Sequence, residues 1–233
     1  QEGKDPYTSG VVAIPGWFGT GADPLWGESP APYGPLFLIL ERGVADFTGG
    51  DPLFGAYVFR FIAVIGVAMM AWGVVRLAQM HGIDSSKALW LVALNPLVYM
   101  HFVVGIHNDA LMVGLITVAF VMALDRRCVT AVVLIALAGA VKPIGLLALP
   151  FIGLIWAGTR AGFWTRVTKW VYAGLIVVVV FAVLSLLSRT GLGWLDALAT
   201  PGKVRTWLSP PTALGMITGQ VTTWAGIASV DTM

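Results

Sequence analysis

Residues 88–124 read ALWLVALNPLVYMHFVVGIHNDALMVGLITVAFVMAL, an apolar stretch with three consecutive polar residues, His107, Asn108 and Asp109, at its middle. A carboxylate and a histidine inside hydrocarbon are expensive, so such a cluster marks a functional site or a turn at a membrane surface. The flanks, 88–104 and 110–124, are each close to the length of one bilayer crossing. The stretch therefore predicts two helices meeting at a tight polar turn, with His107-Asn108-Asp109 held at one membrane face.

Composition agrees with a membrane protein. Hydrophobic residues make up 58% and charged residues 11%, with mean hydropathy +0.84; soluble domains carry roughly 25% charged residues. A net charge of +2, with no basic stripe, argues against a nucleic-acid partner. The single cysteine, Cys128, excludes an internal disulfide and reads as an ordinary helix-end residue without a partner base.

Working outward, the other long apolar segments are 54–75, 128–141, 144–158 and 170–188. The expected fold is all-α and polytopic, with about six transmembrane helices. Three regions follow: 1–52, an extracytoplasmic loop region whose apolar patch at 35–40 is too short to span; 53–188, the transmembrane bundle; and 189–233, a further extracytoplasmic loop leading into the start of another helix near 211. A polar opening at Gln1 and the stop at Met233 read as a piece of a longer protein.

Charge sets the orientation. The short loops bearing Arg76 and Lys87, Arg126 and Arg127, and Arg160, Arg166 and Lys169 fall on one side only if the chain breaks at Lys142-Pro143. The positive-inside rule makes that side cytoplasmic. The N-terminal region, His107-Asn108-Asp109, Lys142, and the tail with Arg189, Lys203 and Arg205 then converge on the outer face of a plasma membrane. No internal repeat is visible, which weakens a transporter reading.

The residues on that face have chemistry to offer. Asp5, before Pro6 and Tyr7, is a turn residue or a presented general base. Tyr33 lies in the rigid loop Ala31-Pro32-Tyr33-Gly34-Pro35, preceded by Trp17, Asp23, Trp26 and Glu28; aromatic rings beside carboxylates suit sugar stacking or an interfacial belt. Asn108 or Asp109 is placed to cap the helix starting near Ala110. His107-Asn108-Asp109 could also bind a sugar or ligate a metal, but His107 and Asp109, two apart, form no recognised metal signature, so no metal ligand set is assigned, no cofactor is certain, and a divalent metal is left open. Lys142 either snorkels to the interface or, with Arg189, Lys203 and Arg205 on the same side, supplies the cation that a lipid-linked phosphate needs. No P-loop, G-x-G-x-x-G, H-E-x-x-H or G-x-S-x-G string is present.

Read in order, DPY (5–7), PAPYGPL (30–36), LNPL (94–97), GIHNDALM (105–112) and VKP (141–143) resemble one family. It is the polyprenol-phosphomannose-dependent alpha-1,6-mannosyltransferases of actinobacterial lipomannan synthesis, within the GT-C class of membrane glycosyltransferases. The resemblance covers about residues 3–158. It implies many transmembrane helices, a catalytic first extracytoplasmic loop, a polyprenyl-phosphate-mannose donor, a mannan glycolipid acceptor in the membrane, and inversion at the anomeric carbon. Carried over, Asp5 is the catalytic base; Tyr7, Tyr33, His107, Asn108, Asp109, Lys142 and Arg189 are substrate-binding. Relatives usually carry a further acidic residue, in an Asp-Val-Tyr-like string, ahead of the D-P-Y loop. Two other classes stay open: a secondary transporter with a His107/Asp109 proton relay, and a non-catalytic membrane subunit.

Overall fold

The computed structural model describes residues 3–20, 24, 27–198 and 210–224. All regular structure among them is helical. Residues 1–197 form one compact unit; the remainder forms a second, whose regular structure among the described residues is a single helix, Pro210–Trp224.

After an irregular N-terminal layer, α1 (Pro35–Phe47) begins at a proline that needs no N–H partner in the first turn. α2 (Pro52–Met80) is capped by Asp51, whose side chain accepts from the Phe54 N–H. α3 (Ser85–Val92) is capped likewise by Asp84, and Asn95-Pro96 ends it. A short α4 (Pro96–Val98) then runs into a π-helical turn, Tyr99–Val104. α5 (Asp109–Leu124) and α6 (Cys128–Val141) follow. A 3₁₀ segment (Pro143–Ala148) leads into α7 (Leu149–Ala157), and α8 (Phe163–Ser188) closes the bundle before the single turn α9 (Trp194–Ala197).

Glycine contacts fix how the helices run. A Cβ on Gly66 would meet the Ala110 backbone, and one on Gly73 would sit 2.9 Å from the Thr117 Cβ, so α2 and α5 lie parallel at backbone contact. Small residues at an interface are how apolar helices approach closely without a hydrophobic drive between them. Lys142, just past α6, meets Asp109, at the start of α5, so α6 runs the other way. The deepest core lies among α5, α6, α7 and α8: Ala119, Ala131, Ile135, Ile152 and Ala173 are fully buried. The turns after α5 and α7 therefore share one end of the bundle; Lys142 and Asp109 occupy the other.

Two helices, Pro52–Met80 and Phe163–Ser188, are long and apolar enough to cross a membrane, or three if the pair Ser85–Val92 and Pro96–Val104, bent by 45°, counts as one span. The other segments expected to cross are apolar but shorter: Asp109–Leu124, Cys128–Val141 and Pro143–Ala157. At 1.5 Å per residue these reach roughly 21–24 Å, against a hydrocarbon core of about 30 Å. Of the six crossings expected from hydropathy, two or three among the described residues thus have the length of a full span; the segment expected at 88–104 is itself broken at Asn95-Pro96 into two helical pieces. Lys142 is extended (φ −147°, ψ 123°), the conformation a following proline favours, and α6 stops one residue earlier.

Candidate active site

Three hydrogen bonds, two between backbones and one from a side chain, bring the sequence-predicted strings together. The Ala31 N–H donates to the Pro6 carbonyl (2.8 Å), the Tyr7 hydroxyl donates to the Tyr33 carbonyl (2.9 Å), and the Gly34 N–H donates to the Val141 carbonyl (3.0 Å). The D-P-Y loop is thus fastened to the A-P-Y-G-P loop, and that loop to the residue before Lys142. Gly34 is required by closeness: its Cα lies against the Ala140 backbone with no room for a side chain.

Lys142 reaches across to α5. Its Nζ donates to both carboxylate oxygens of Asp109, at 2.9 and 3.1 Å, and His107 Nδ1 lies 3.4 Å from Asp109 Oδ2. The Asp109 and Lys142 side chains are 19% and 32% exposed, so the pair is neither a free surface bridge nor a dry one. His107 stacks on His101, ring centroids 4.3 Å apart and 17° from parallel. Ile106 makes this possible at φ 52°, a left-handed conformation unusual for a β-branched residue.

Each expected residue has a definite place. Asp5 is exposed; its Oδ1 accepts from the Tyr7 N–H (2.9 Å), and its carbonyl accepts from Thr8 and Ser9, so it closes a turn. Tyr7 is buried (2% exposed) against Gly193 and Leu38. Burial foremost, and then the charges of Glu41 and Asp5, push its hydroxyl pKa up. Tyr33 packs edge-on to Phe37 (4.9 Å), and its hydroxyl is pushed up by burial, then by Glu41 and Asp109.

Asn108 occupies the N-cap position of α5, but its side chain makes no capping bond. The capping role expected of Asn108 therefore falls to backbone: its carbonyl accepts from Leu111 and Met112, while Nδ2 is buried without a partner among the described residues. Asp109 is the first helical residue, where a carboxylate favours the helix dipole. Arg189 ends α8 in a left-handed turn (φ 60°) and lines an open groove with Leu38, Ile39, Arg42 and Asp46; it is not among the residues around Lys142. Arg60 of α2 donates through Nε to the Val103 carbonyl of the π-turn at 3.2 Å. Asp23, Trp26, Lys203 and Arg205 lie outside the described residues.

Two residues absent from the sequence reading belong to this region. Glu41, one helical turn beyond Phe37 on α1, has its carboxyl pKa pushed up to about 7 by burial. Extending the apolar patch at 35–40 as a helix would have put Phe37 and Glu41 four apart, on one face. His101 is six residues from His107, a spacing with no helical meaning; only the π-turn and the kink at Ile106 bring the two rings together.

A family profile described as alpha-(1->6)-mannopyranosyltransferase, N-terminal domain, matches residues 1–158. The chain is 38% identical over 219 residues to alpha-(1->6)-mannopyranosyltransferase A of Mycobacterium tuberculosis, covering 91% of this chain and 42% of that protein. It is 36% identical over 265 residues to a probable alpha-(1->6)-mannopyranosyltransferase of Mycolicibacterium smegmatis, covering 99% of this chain and 47% of the relative. Alpha-(1->6)-mannopyranosyltransferase A of Corynebacterium glutamicum is 36% identical over 165 residues, 70% of this chain and 33% of its own length. The chain thus spans less than half the length of these relatives. No solved structure matches it.

Proposed function

The chain belongs to the family of alpha-(1->6)-mannopyranosyltransferases, and from that premise we propose that the protein is a membrane glycosyltransferase moving mannose from polyprenyl-phosphate-mannose to an alpha-1,6-mannan acceptor of a cell-envelope glycolipid. The observation that carries this reading is the Lys142–Asp109–His107 array (2.9 and 3.4 Å) at the bundle end where the D-P-Y and A-P-Y-G-P loops are fastened. We take that end as extracytoplasmic, since the turns bearing Arg126, Arg127 and Arg160 lie at the other.

In this reaction a carboxylate takes the proton of the acceptor 6-hydroxyl, whose oxygen attacks the anomeric carbon. The bond from that carbon to the phosphate oxygen breaks, and the polyprenyl phosphate leaves with the electron pair. Asp5 is the proposed base, presented on an exposed turn. Lys142 is the proposed cation for the leaving phosphate; Asp109 holds it in place in the absence of substrate, and the phosphate takes over part of that pairing. Tyr7 sets the loop by its bond to the Tyr33 carbonyl, and Tyr33, His107 and Asn108 offer donors and ring faces to sugar hydroxyls. Arg189, in its separate groove, serves the lipid phosphate only if the donor lies along α1 and α8. Electrostatic stabilisation of this kind is strongest at a low-dielectric membrane edge.

The proposal is tested by mannose transfer from labelled polyprenyl phosphomannose to an alpha-1,6-mannoside acceptor, in membranes of cells expressing the protein from its native locus. Asp5→Asn and Asp109→Asn are run beside it. Transfer that collapses in both supports the reading. Survival of transfer in Asp5→Asn removes Asp5 as the base, and absence of transfer by the properly inserted parent removes the transferase.

A further inference from the structure

We propose that His101, His107 and Asp109 form a binding site for a divalent transition-metal ion of the zinc, cobalt or manganese type. One ligand atom from each of the three lies within 4.8 Å of the others. His107 Nδ1 and Asp109 Oδ2 are 3.4 Å apart. Ligands about 2.0–2.1 Å from a tetrahedral zinc stand roughly 3.3 Å from one another, so this pair already has a metal's spacing. His101 has farther to come: its exposed ring contacts the His107 and Phe102 rings and lies nearly parallel to His107, so it must swing out of the stack to aim a nitrogen at the same ion.

The backbone is arranged for this convergence. A π-turn at Tyr99–Val104 carries His101, and Ile106 adopts φ 52° immediately before His107. A β-branched residue in that region is strained and persists where the surroundings impose it. Without the kink, His107 and Asp109 would not face His101.

The donor set selects the ion. Two imidazoles and one carboxylate suit zinc and its neighbours, whereas calcium and magnesium take oxygen ligands. Three protein ligands at a part-exposed site leave positions for water or a substrate oxygen, the arrangement of a reactive rather than a purely structural ion.

Lys142 makes the proposal sharper. Its ammonium touches both Asp109 oxygens, so an incoming dication must displace it from Oδ2 and repels it from Oδ1. Lysine and metal therefore compete for one carboxylate. Removing the lysine must tighten metal binding, an outcome that a general loss of structure cannot produce.

The experiment uses the tag-free protein, purified in detergent, titrated with Co²⁺ by visible absorption and then with Zn²⁺ in competition. Metal binding at one equivalent is expected. Loss of outer partners alone weakens metal sites roughly 10–100-fold, so His101→Ala, His101→Gln and His107→Ala are each expected to weaken binding by at least about tenfold. Of the three histidines in the chain, His81 is the control: it sits at the far end of α2, within 2.8 Å of the Leu77 carbonyl, and His81→Ala is expected to leave binding unchanged. Lys142→Met is expected to tighten it several-fold. Absence of saturable binding, equal binding in His101→Ala, or weaker binding in Lys142→Met overturns the proposal. None of these readouts depends on mannose transfer.

Discussion

Substitution of Gly34 by alanine tests whether the loop carrying Tyr33 is seated as described. Gly34 has φ −80° and ψ 170°, which alanine adopts without strain, so the effect is steric alone. An ideal Cβ there would lie 2.6 Å from the Ala140 carbonyl carbon and 2.8 Å from its Cα, with the carbonyl oxygen also in the way. All of these are rigid backbone. To reach ordinary contact near 3.4 Å the loop must withdraw by about 0.8 Å, carrying the Gly34 N–H from 3.0 Å toward roughly 3.8 Å from the Val141 carbonyl, beyond hydrogen-bond range. A buried donor left unpaired costs about 1–3 kcal/mol, and overpacking a close contact costs a similar amount. About 3 kcal/mol in total corresponds to an apparent melting decrease on the order of 10 °C for a unit of this size. The assay is thermal unfolding of the detergent-solubilised protein, followed by tryptophan fluorescence. Gly174→Ala on α8, where a Cβ meets nothing within 4 Å, is the control and is expected to melt no lower than the parent. In parallel, mannose transfer by Gly34→Ala is expected to fall, because Tyr33 moves away from Asp109. A melting point within about 2 °C of the parent would refute the seating of the loop on α6 and the site built upon it.

Three further outcomes follow from the same geometry. Glu41 holds its proton up to about pH 7 in the folded protein against an ordinary value of 4.5, so folding is most favoured below pH 4.5 and loses stability as pH rises through 7. The loss saturates on the order of 3 kcal/mol; Glu41→Gln should abolish that slope, and parallel unfolding profiles for parent and variant between pH 5 and 8 would contradict it. Lys142→Met and Asp109→Asn, combined in a double-mutant cycle, should show a coupling of about 2 kcal/mol, between the values of surface and buried pairs; additive losses would mean the pair contributes nothing. Gly66→Ala places a Cβ 2.5 Å from the Ala110 carbonyl oxygen and the Leu111 nitrogen. It should part α2 from α5 at a cost of about 2 kcal/mol or more, read as a lowered melting point and, in a disulfide-trapping pair across the two helices, slower cross-linking.

What was legible in the sequence follows the kind of signal each element carries. Proline and acidic or amide residues at helix starts mark boundaries chemically, so the break at Lys142-Pro143 and the start at Asp109 could be placed to within a residue or two, whereas the segment 88–104, expected as one helix, is broken at Asn95-Pro96. Hydropathy marks apolar segments without fixing how far each helix runs, and of the six such segments two or three are long enough in the structure for a full span. Side-chain partners across helices were less accessible. Lys142 and Asp109 are 33 residues apart, and only the assignment of both to one membrane face brought them near each other on paper; that they pair directly, and so restrain one another, is a property of α5 and α6 packing antiparallel.

Glu41 and His101 escaped for opposite reasons. Glu41 obeys the helical period with Phe37, a relation that shows only when the apolar patch ending at Leu40 is followed as α1 to Phe47. His101 obeys no period at all. Its meeting with His107 depends on the π-turn at Tyr99–Val104 and on φ 52° at Ile106, neither of which has a residue signature. Such departures from regular backbone collect where chemistry requires them. A site assembled through them is invisible to spacing rules built on 3.6 residues per turn, and the histidine that spacing would discard is the one that completes the ligand set.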